Sequence, residues 1–504
     1  MYGYAGTGKT TLIMEIILFL ITHKLINSVA FSAPTHKALN VMKTNFNKLI
    51  PQLMEKMNSC DQGSFDSNLI ELRIKGVSIE FMTIHKLLGY SMEFNDDGAK
   101  IFTKKKVNAW NRNKKQNIAD VDITKYDIVI VDECSMISMP MVIELFTEIR
   151  TRMQHIIDIN KIPKIIFTGD PAQLPPVNEK ASSIFIKKKD ELRFIDYAKA
   201  ITMDQNNFLT SEALKSNYDK FTDDVINMKT MTLTQIFRNS HSNVIGLCFE
   251  IRRWVMDEIN KPSLGKYSGG GVSMYNYNNG KKTDSKWFKK CVELFRKGHT
   301  SNIILTWTNH KSETYNMAIR KLLLNRDTFD AFEVGDILIL NDFYCFADDV
   351  DKKETINEED NRFYTSEQLK IVEVCIVRKK VRTLPEDIQE SLKSLGDSGD
   401  IIKKLKLTIN KINEVTKRDY KVWKMKVLRL SDSGINSNDR ECQVYVVHES
   451  SAKVLRDDNE QVAKIIKIIL TSYKETHPKQ IKTIEKIIMK QLWKYWNDNF
   501  VAPF

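Results

Sequence analysis

The 504-residue chain carries 76 Lys and Arg against 64 Asp and Glu, a formal charge of +12, with 42% hydrophobic and 28% charged residues. That length exceeds what one hydrophobic core serves and predicts several domains, and the composition excludes wholesale disorder. The basic excess favours a polyanionic partner through counterion release, the plain alternative being a well-solvated surface. The seven cysteines stand far apart with no CxxC pair. Their spacing argues against a zinc site or a disulfide scaffold and fits a reducing compartment: cytoplasm, nucleus or, for a viral protein, the host cytoplasm. The longest apolar run, Ile16 to Ile21, is far short of the roughly 20 residues of a membrane span, so no membrane partner and no targeting segment are expected. Abundant Ile, Lys and Asn suit an AT-rich genome or a large virus.

In chain order, the first 180 residues alternate short β-branched runs with helical stretches, which predicts an α/β fold with a parallel sheet. Buried strands are expected at Ser28 to Ser32, Asp127 to Val131 and Lys164 to Thr168, each running into small or polar residues. Ligand sites of α/β proteins lie at such strand ends. A further strand is expected at NIILTWTN, from Asn302. Between about Glu333 and Glu449 short alternating strands predict a small β-barrel, interrupted by a charged stretch from Arg378 to Arg418. From about Asn459 the pattern is that of two helices.

The strongest chemical signal is Gly3-Tyr4-Ala5-Gly6-Thr7-Gly8-Lys9-Thr10, followed by Thr11 and a helical apolar pattern. Glycines let successive amides turn inward around phosphate oxygens, and the helix start adds its dipole. In such a loop Lys9 reaches the β and γ phosphates of a nucleotide and Thr10 ligates Mg²⁺. A second element is Asp132-Glu133 at the end of a buried strand. A carboxylate there is costly unless it meets a cation, so Asp132 is expected to hold Mg²⁺, with Glu133 as base for the attacking water. The bland alternative is a helix-capping pair. The third element is Gly169-Asp170-Pro171-Ala172-Gln173, whose Gln173 can sense the γ-phosphate, or which is simply a proline-stiffened turn.

Together with APTHKALNVM (33–42), TIHKLLGY (83–90) and LTQIFRN (233–239), these motifs resemble, in order, the superfamily 1B helicases of RecD, Dda and Pif type. Weaker similarity continues through ILTWTNHKSETYN (304–316) and FEVGDILIL. The resemblance implies two RecA-like P-loop NTPase domains, the second incomplete. The first comprises 1–88 and 127–205, and the second begins at 206–332. It implies a β-hairpin or wedge insertion at 89–126, an SH3-like β-barrel insertion at 333–455, and a helical return at 456–504. Arg238 takes the place of the family's γ-phosphate arginine, and Pro34, Thr35, His36, Thr83, His85 and Asn309 take places where relatives touch the single strand. Phe102 best matches the wedge aromatic within the basic segment Lys100 to Lys115. For each of these a local alternative stands: a Pro-Thr turn, a capping residue, or a solvated basic loop.

The resemblance implies an ATP- and Mg²⁺-dependent DNA helicase, a monomeric motor acting on single-stranded and duplex DNA in the 5′ to 3′ direction. The family's last two motifs and its adenine-reading glutamine have no counterpart in 1–504, so the chain is expected to be truncated at its C-terminus, with nucleotide and weak DNA binding but little turnover. An RNA helicase and a non-catalytic nucleic-acid-binding fragment remain the alternative readings. No N-K-x-D guanine-reading motif supports a GTPase.

Overall fold

The computed structural model describes residues 1–59, 76–94, 100–104, 123–153, 162–204, 210–237, 242–256, 258–275, 282–297, 302–340, 344–345, 362–363, 367–380, 407, 419–430 and 441–476. The chain divides into two compact units, one of Met1–Ser91 and Lys104–Met274, the other of Met92–Thr103 and Tyr275–Phe504. Among the described residues no helix is long and apolar enough to cross a membrane.

The first unit is built on parallel strands. β1 (Tyr2–Gly3) leads through the glycine-rich loop into α1 (Lys9–Thr22). β2 (Ser28–Ala33) leads into α2 (His36–Ser59), and β3 (Ser78–Thr83) into the short α3 (Ile84–Leu87). β4 (Tyr90–Phe94) and β5 (Lys100–Lys104), most of whose residues fall in the second unit, then pair as a sheet of two. β6 (Ile128–Val131) precedes α4 (Met139–Met153), and β7 (Lys164–Phe167) precedes α5 (Phe194–Asp204) and α6 (Ser211–Ile226). β8 (Thr232–Leu233) and α7 (Ser242–Val255) complete the unit.

The main sheet has the order β3-β2-β6-β7, all parallel. β1 continues it through a parallel bridge between Tyr2 and Gly169, just past the end of β7, and pairs on its other side with β8. The phosphate-loop strand and β6 are therefore separated by β7. The expected strands at 28–32, 127–131 and 164–168 are all present within a residue or two. Both faces of this sheet are covered, as a parallel sheet requires. Ile13, Met14, Ile17 and Ile21 of α1 pack with Leu39, Met42 and Phe46 of α2 on one side. Val142, Leu145 and Ile149 of α4, with Phe221 and Val225 of α6, pack with Val129 and Val131 on the other.

The second unit contains α8 (Lys286–Arg296) and α9 (Asn309–Leu324), then the strands β9 (Ile337–Ile339), β10 (Tyr344–Cys345), β11 (Arg362–Phe363), β12 (Gln368–Lys380), β13 (Asp419–Arg429) and β14 (Cys442–Val447), and finally α10 (Glu449–Thr476). The β-rich stretch forms a four-stranded antiparallel sheet in the order β14-β13-β12-β9, with β10 and β11 as a separate pair. Among the described residues the four strands do not close into a barrel. The strand expected from Asn302 is not one: residues 302–306 form no ladder. Extended backbone becomes a strand only when a neighbour takes its N–H and C=O groups. Without one, the alternate Ile303, Leu305 and Trp307 stay exposed, Trp307 at 94%.

α10 docks on β13 through polar contacts, one of them Lys421 N–H donating to Ser451 Oγ at 2.9 Å. Tyr420 Oη donates to Asp458 Oδ2 at 2.6 Å, and both residues are buried. Removing the hydroxyl leaves a buried carboxylate short of a donor. Tyr420→Phe is expected to destabilise this unit by about 1–3 kcal/mol in urea unfolding. A change below the error of the melt contradicts this account of the seam.

Candidate functional site

The glycine-rich loop adopts the form its composition demands. Gly6 and Gly8 have φ of 82° and 78°, left-handed values unfavourable for a side chain. Gly8 caps α1 without any side-chain bond, so the first-turn amides of α1 remain directed at the loop. Gly3 is required for closeness: a Cβ there would lie 2.3 Å from the Leu233 carbonyl oxygen of β8. The 231–237 segment runs alongside the loop, with Tyr2 N–H donating to Met231 O and Phe237 N–H to Gly6 O, each at 2.9 Å. Arg238, the next residue, lies outside the described residues.

Lys9 folds back over the loop. Its Nζ donates to the carbonyls of Gly3 and Tyr4, both at 3.0 Å. Thr7 is buried, its hydroxyl donating to Tyr4 O at 2.8 Å, whereas Ala5 and Thr11 are exposed. Burial lowers the Lys9 pKa, opposed by the charges of Asp170, Glu133 and Asp132 in that order, while Arg252 lowers it further.

Asp132 is buried at the end of β6 and ties three motifs together. Thr10 Oγ1 donates to its Oδ2 at 3.1 Å, Thr168 Oγ1 donates to its Oδ1, and the Glu133 amide donates to Oδ1 at 2.9 Å. The donor set is a hydroxyl and one carboxylate. It fits Mg²⁺, which takes one or two protein oxygens and completes its shell with phosphate and water. Among the described residues no group of three or more His, Cys, Asp or Glu forms a self-sufficient metal cage. Glu133 is half-buried with φ 52° and ψ 39°, a left-handed conformation uncommon outside glycine. That turn carries the chain directly from Asp132 into the packed Cys134, whose thiol is pushed up to about 12 by burial.

After β7 the Gly169–Gln173 turn sits beside the same site. Gln173 N–H donates to Asp170 O at 3.0 Å, and Ala172 N–H to Asp170 Oδ1 at 3.0 Å. Sequence reasoning missed Arg252 of α7. Its guanidinium pairs with Asp170 and lies 4.5 Å from the centroid of the Tyr4 ring. Phe249, one turn earlier, meets Tyr4 edge to face at 5.8 Å. Thr168 was missed as well. Its place directly before Gly169 on a strand ending at the same edge was the available signal. Arg252 offered none, being one of two adjacent arginines in an amphipathic helix.

A second cluster forms at the ends of β2 and β3, which pair through Ala33 and Thr83. Pro34, Thr35 and His36 follow one strand, and Thr83 and His85 the other, so five of the proposed strand-contact residues meet at one edge. Thr35 Oγ1 accepts from Ala38 N–H at 3.2 Å and Thr83 Oγ1 from Lys86 N–H at 3.3 Å, which are helix-capping roles. Burial lowers the pKa of His36, with Lys86 and His85 adding to it, and burial lowers His85 against the pull of Glu144. Tyr90 lies edge to face with His85 at 5.9 Å and donates to Glu144 Oε2 at 2.7 Å. Asn309, exposed at the start of α9 and preceded by the capping Thr308, belongs to the second unit. Phe102 lies on β5.

Against known proteins, residues 1–179 match the family described as AAA domain. The whole chain is 27% identical to Uncharacterized protein R530 of Acanthamoeba polyphaga mimivirus, over 83% of that protein. It is 34% identical to the RecBCD enzyme subunit RecD of Buchnera aphidicola (subspecies Schizaphis graminum), over 36% of this chain and only 23% of that one. Among solved structures it is similar to a Bacteroides Pif1 bound to ssDNA, at 15% identity over 88% of this chain and 76% of the other. The TM-score is 0.31, a likeness too loose to build on.

The histidine pair generates a prediction. Both folded-state values lie below the unfolded reference of about 6.5, so folding favours the neutral rings. Stability from this source is complete above about pH 6.5 and falls as pH drops below it, because the unfolded chain takes up protons first. Urea midpoints between pH 7.5 and 5.5 should therefore decline less for a His36→Gln, His85→Gln double variant than for the parent. Equal declines contradict the assignment.

Proposed function

We propose, on the premise that this chain belongs to the superfamily 1 helicases of RecD and Pif kind, that it is an ATP-dependent motor acting on DNA. The observation that carries the reading is the Thr10–Asp132 hydrogen bond at 3.1 Å, with Lys9 on the same loop. It joins the start of the phosphate-loop helix to the acidic strand end, as metal-assisted phosphoryl transfer requires. Chain-wide basicity, a net +12, supports a polyanionic partner.

In this mechanism the triphosphate draws Lys9 away from the Gly3 and Tyr4 carbonyls and takes its charge onto the β and γ phosphates. The first-turn amides of α1 complete the cradle. Thr10 and Asp132 would hold Mg²⁺, which when bound would supply charge neutralisation on the phosphate oxygens. Glu133 orients and deprotonates the attacking water, and Gln173 responds to the γ-phosphate through the turn it shares with Asp170. Arg238 stabilises the transferring phosphoryl group. Pro34, Thr35, His36, Thr83 and His85 grip the single-strand backbone at the β2–β3 edge, while Asn309 and Phe102 are given DNA contacts by the family resemblance alone. Movement along one strand, 5′ to 3′ as the family resemblance implies, follows from alternating grip by two RecA-like domains.

Nucleotide and strand binding must then be coupled, and the coupling is measurable without turnover. Fluorescence anisotropy of a labelled single-stranded DNA should give a Kd that shifts about fivefold or more when a non-hydrolysable ATP analogue is added, a typical coupling size. Lys9→Ala should erase the shift and leave nucleotide-free DNA binding intact. A Kd indifferent to nucleotide overturns the motor reading. Tighter binding of an RNA oligomer than of DNA moves the substrate to RNA.

A further inference from the structure

The phosphate site holds a buried ion pair that none of its motifs accounts for. Asp170 is 3% exposed, and a carboxylate that deep is costly unless a cation compensates it. Arg252 supplies that cation, with its own side chain only 16% exposed. The same guanidinium stacks over Tyr4, the residue whose carbonyl receives both Lys9 and Thr7. Arg252 thus touches the phosphate loop and the Gly169–Gln173 turn at once, from a helix that belongs to neither.

The consequence follows from competition for Lys9. Its Nζ now rests on two neutral carbonyls, which an incoming phosphate displaces easily. Lys9 also feels the charge of Asp170 more strongly than that of Glu133 or Asp132. Were Arg252 absent, Asp170 would need another cation, and the flexible stem of Lys9 is suited to reach for it. A lysine held by a buried carboxylate is much harder for a phosphate to recruit than one held by carbonyls.

We propose that Arg252 is a positioning residue of the nucleotide site: by neutralising Asp170 it keeps Lys9 available to the triphosphate, and by stacking on Tyr4 it holds the loop's entry strand. The proposal rests on the nucleotide site argued above. It gives α7 a direct mechanical tie to that site, independent of Arg238.

The test is equilibrium titration of fluorescent ATP and ADP analogues, with Mg²⁺, into the full chain and four variants. Arg252→Gln should weaken the ATP analogue about tenfold or more, and the ADP analogue distinctly less. Arg252→Lys should recover part of the loss. The double variant Arg252→Gln, Asp170→Asn should restore ATP binding to within about threefold of the parent, because no charge is left to capture Lys9. A double variant as weak as Arg252→Gln overturns the proposal, as that outcome means the loss does not run through the uncompensated charge of Asp170. Unchanged ATP binding in Arg252→Gln overturns it as well. If Arg252→Gln does not fold, the double variant is read against the parent and Arg252→Lys: ATP binding within about threefold of the parent, with Arg252→Lys weaker than both, supports the proposal, and a loss of about tenfold or more in the double variant overturns it. Lys9→Ala, the fourth variant, separates this question from the functional reading. A parent chain that binds ATP no better than Lys9→Ala refutes the nucleotide site itself, and the positioning role with it.

Discussion

The carboxylate of Asp132 is the constraint on which the first unit depends. It is buried at the end of a central parallel strand, where an uncompensated charge would cost several kcal/mol. Its oxygens are met by Thr10 from α1, Thr168 from the end of β7 and the amide of Glu133. These come from three separate segments, so the carboxylate is satisfied only if β1, β6 and β7 finish at the same level. The strand order, with β7 between the phosphate-loop strand and β6, is what delivers them. The left-handed Glu133 follows from the same demand, since the chain must turn at once to return the Cys134 amide to Thr168 O at 2.9 Å.

Around that carboxylate the charges are arranged as exchangeable pairs. Lys9 is satisfied by carbonyls, Asp170 by Arg252, and Asp132 by hydroxyls, so each group has a partner in the absence of phosphate. On the proposed nucleotide-site reading, an arriving polyanion with its metal need not create a charged site. It redirects one that already exists, at a loop preorganised by Gly3, Gly6 and Gly8. The cost of organising the site is thereby borne by the fold rather than by the ligand.

Much of this was legible in the sequence because it is local. The glycine spacing of residues 3–8, the apolar strand before Asp132 and the proline-rich turn after Gly169 each dictate backbone shape within a few residues. Thr35, His36, Thr83 and His85 were singled out through the family resemblance alone; that they share one edge comes from the pairing of β2 with β3, which neither segment encodes by itself. What escaped was contact across long separations. Nothing near Arg252 announces that it pairs with Asp170, 82 residues away, or stacks on Tyr4. The alternation at Ile303, Leu305 and Trp307 promised a strand, but a strand is a property of two segments and no described neighbour pairs with this one. The β-rich stretch has the same lesson: alternation revealed the strands of the second unit, while their antiparallel order depends on pairing that no single segment encodes.

Metal dependence of nucleotide affinity tests most directly whether Asp132 and Thr10 form the proposed metal-assisted nucleotide site. Isothermal titration of ATP into the chain, with Mg²⁺ and then with EDTA, should show binding at least about tenfold tighter with the metal. Asp132→Asn, which keeps the shape, lets one threonine hydroxyl donate to its amide oxygen and the other accept from its amide nitrogen, and removes the charge, should abolish that difference. Equal affinity with and without Mg²⁺ in the parent, or a metal effect preserved in Asp132→Asn, would contradict the account.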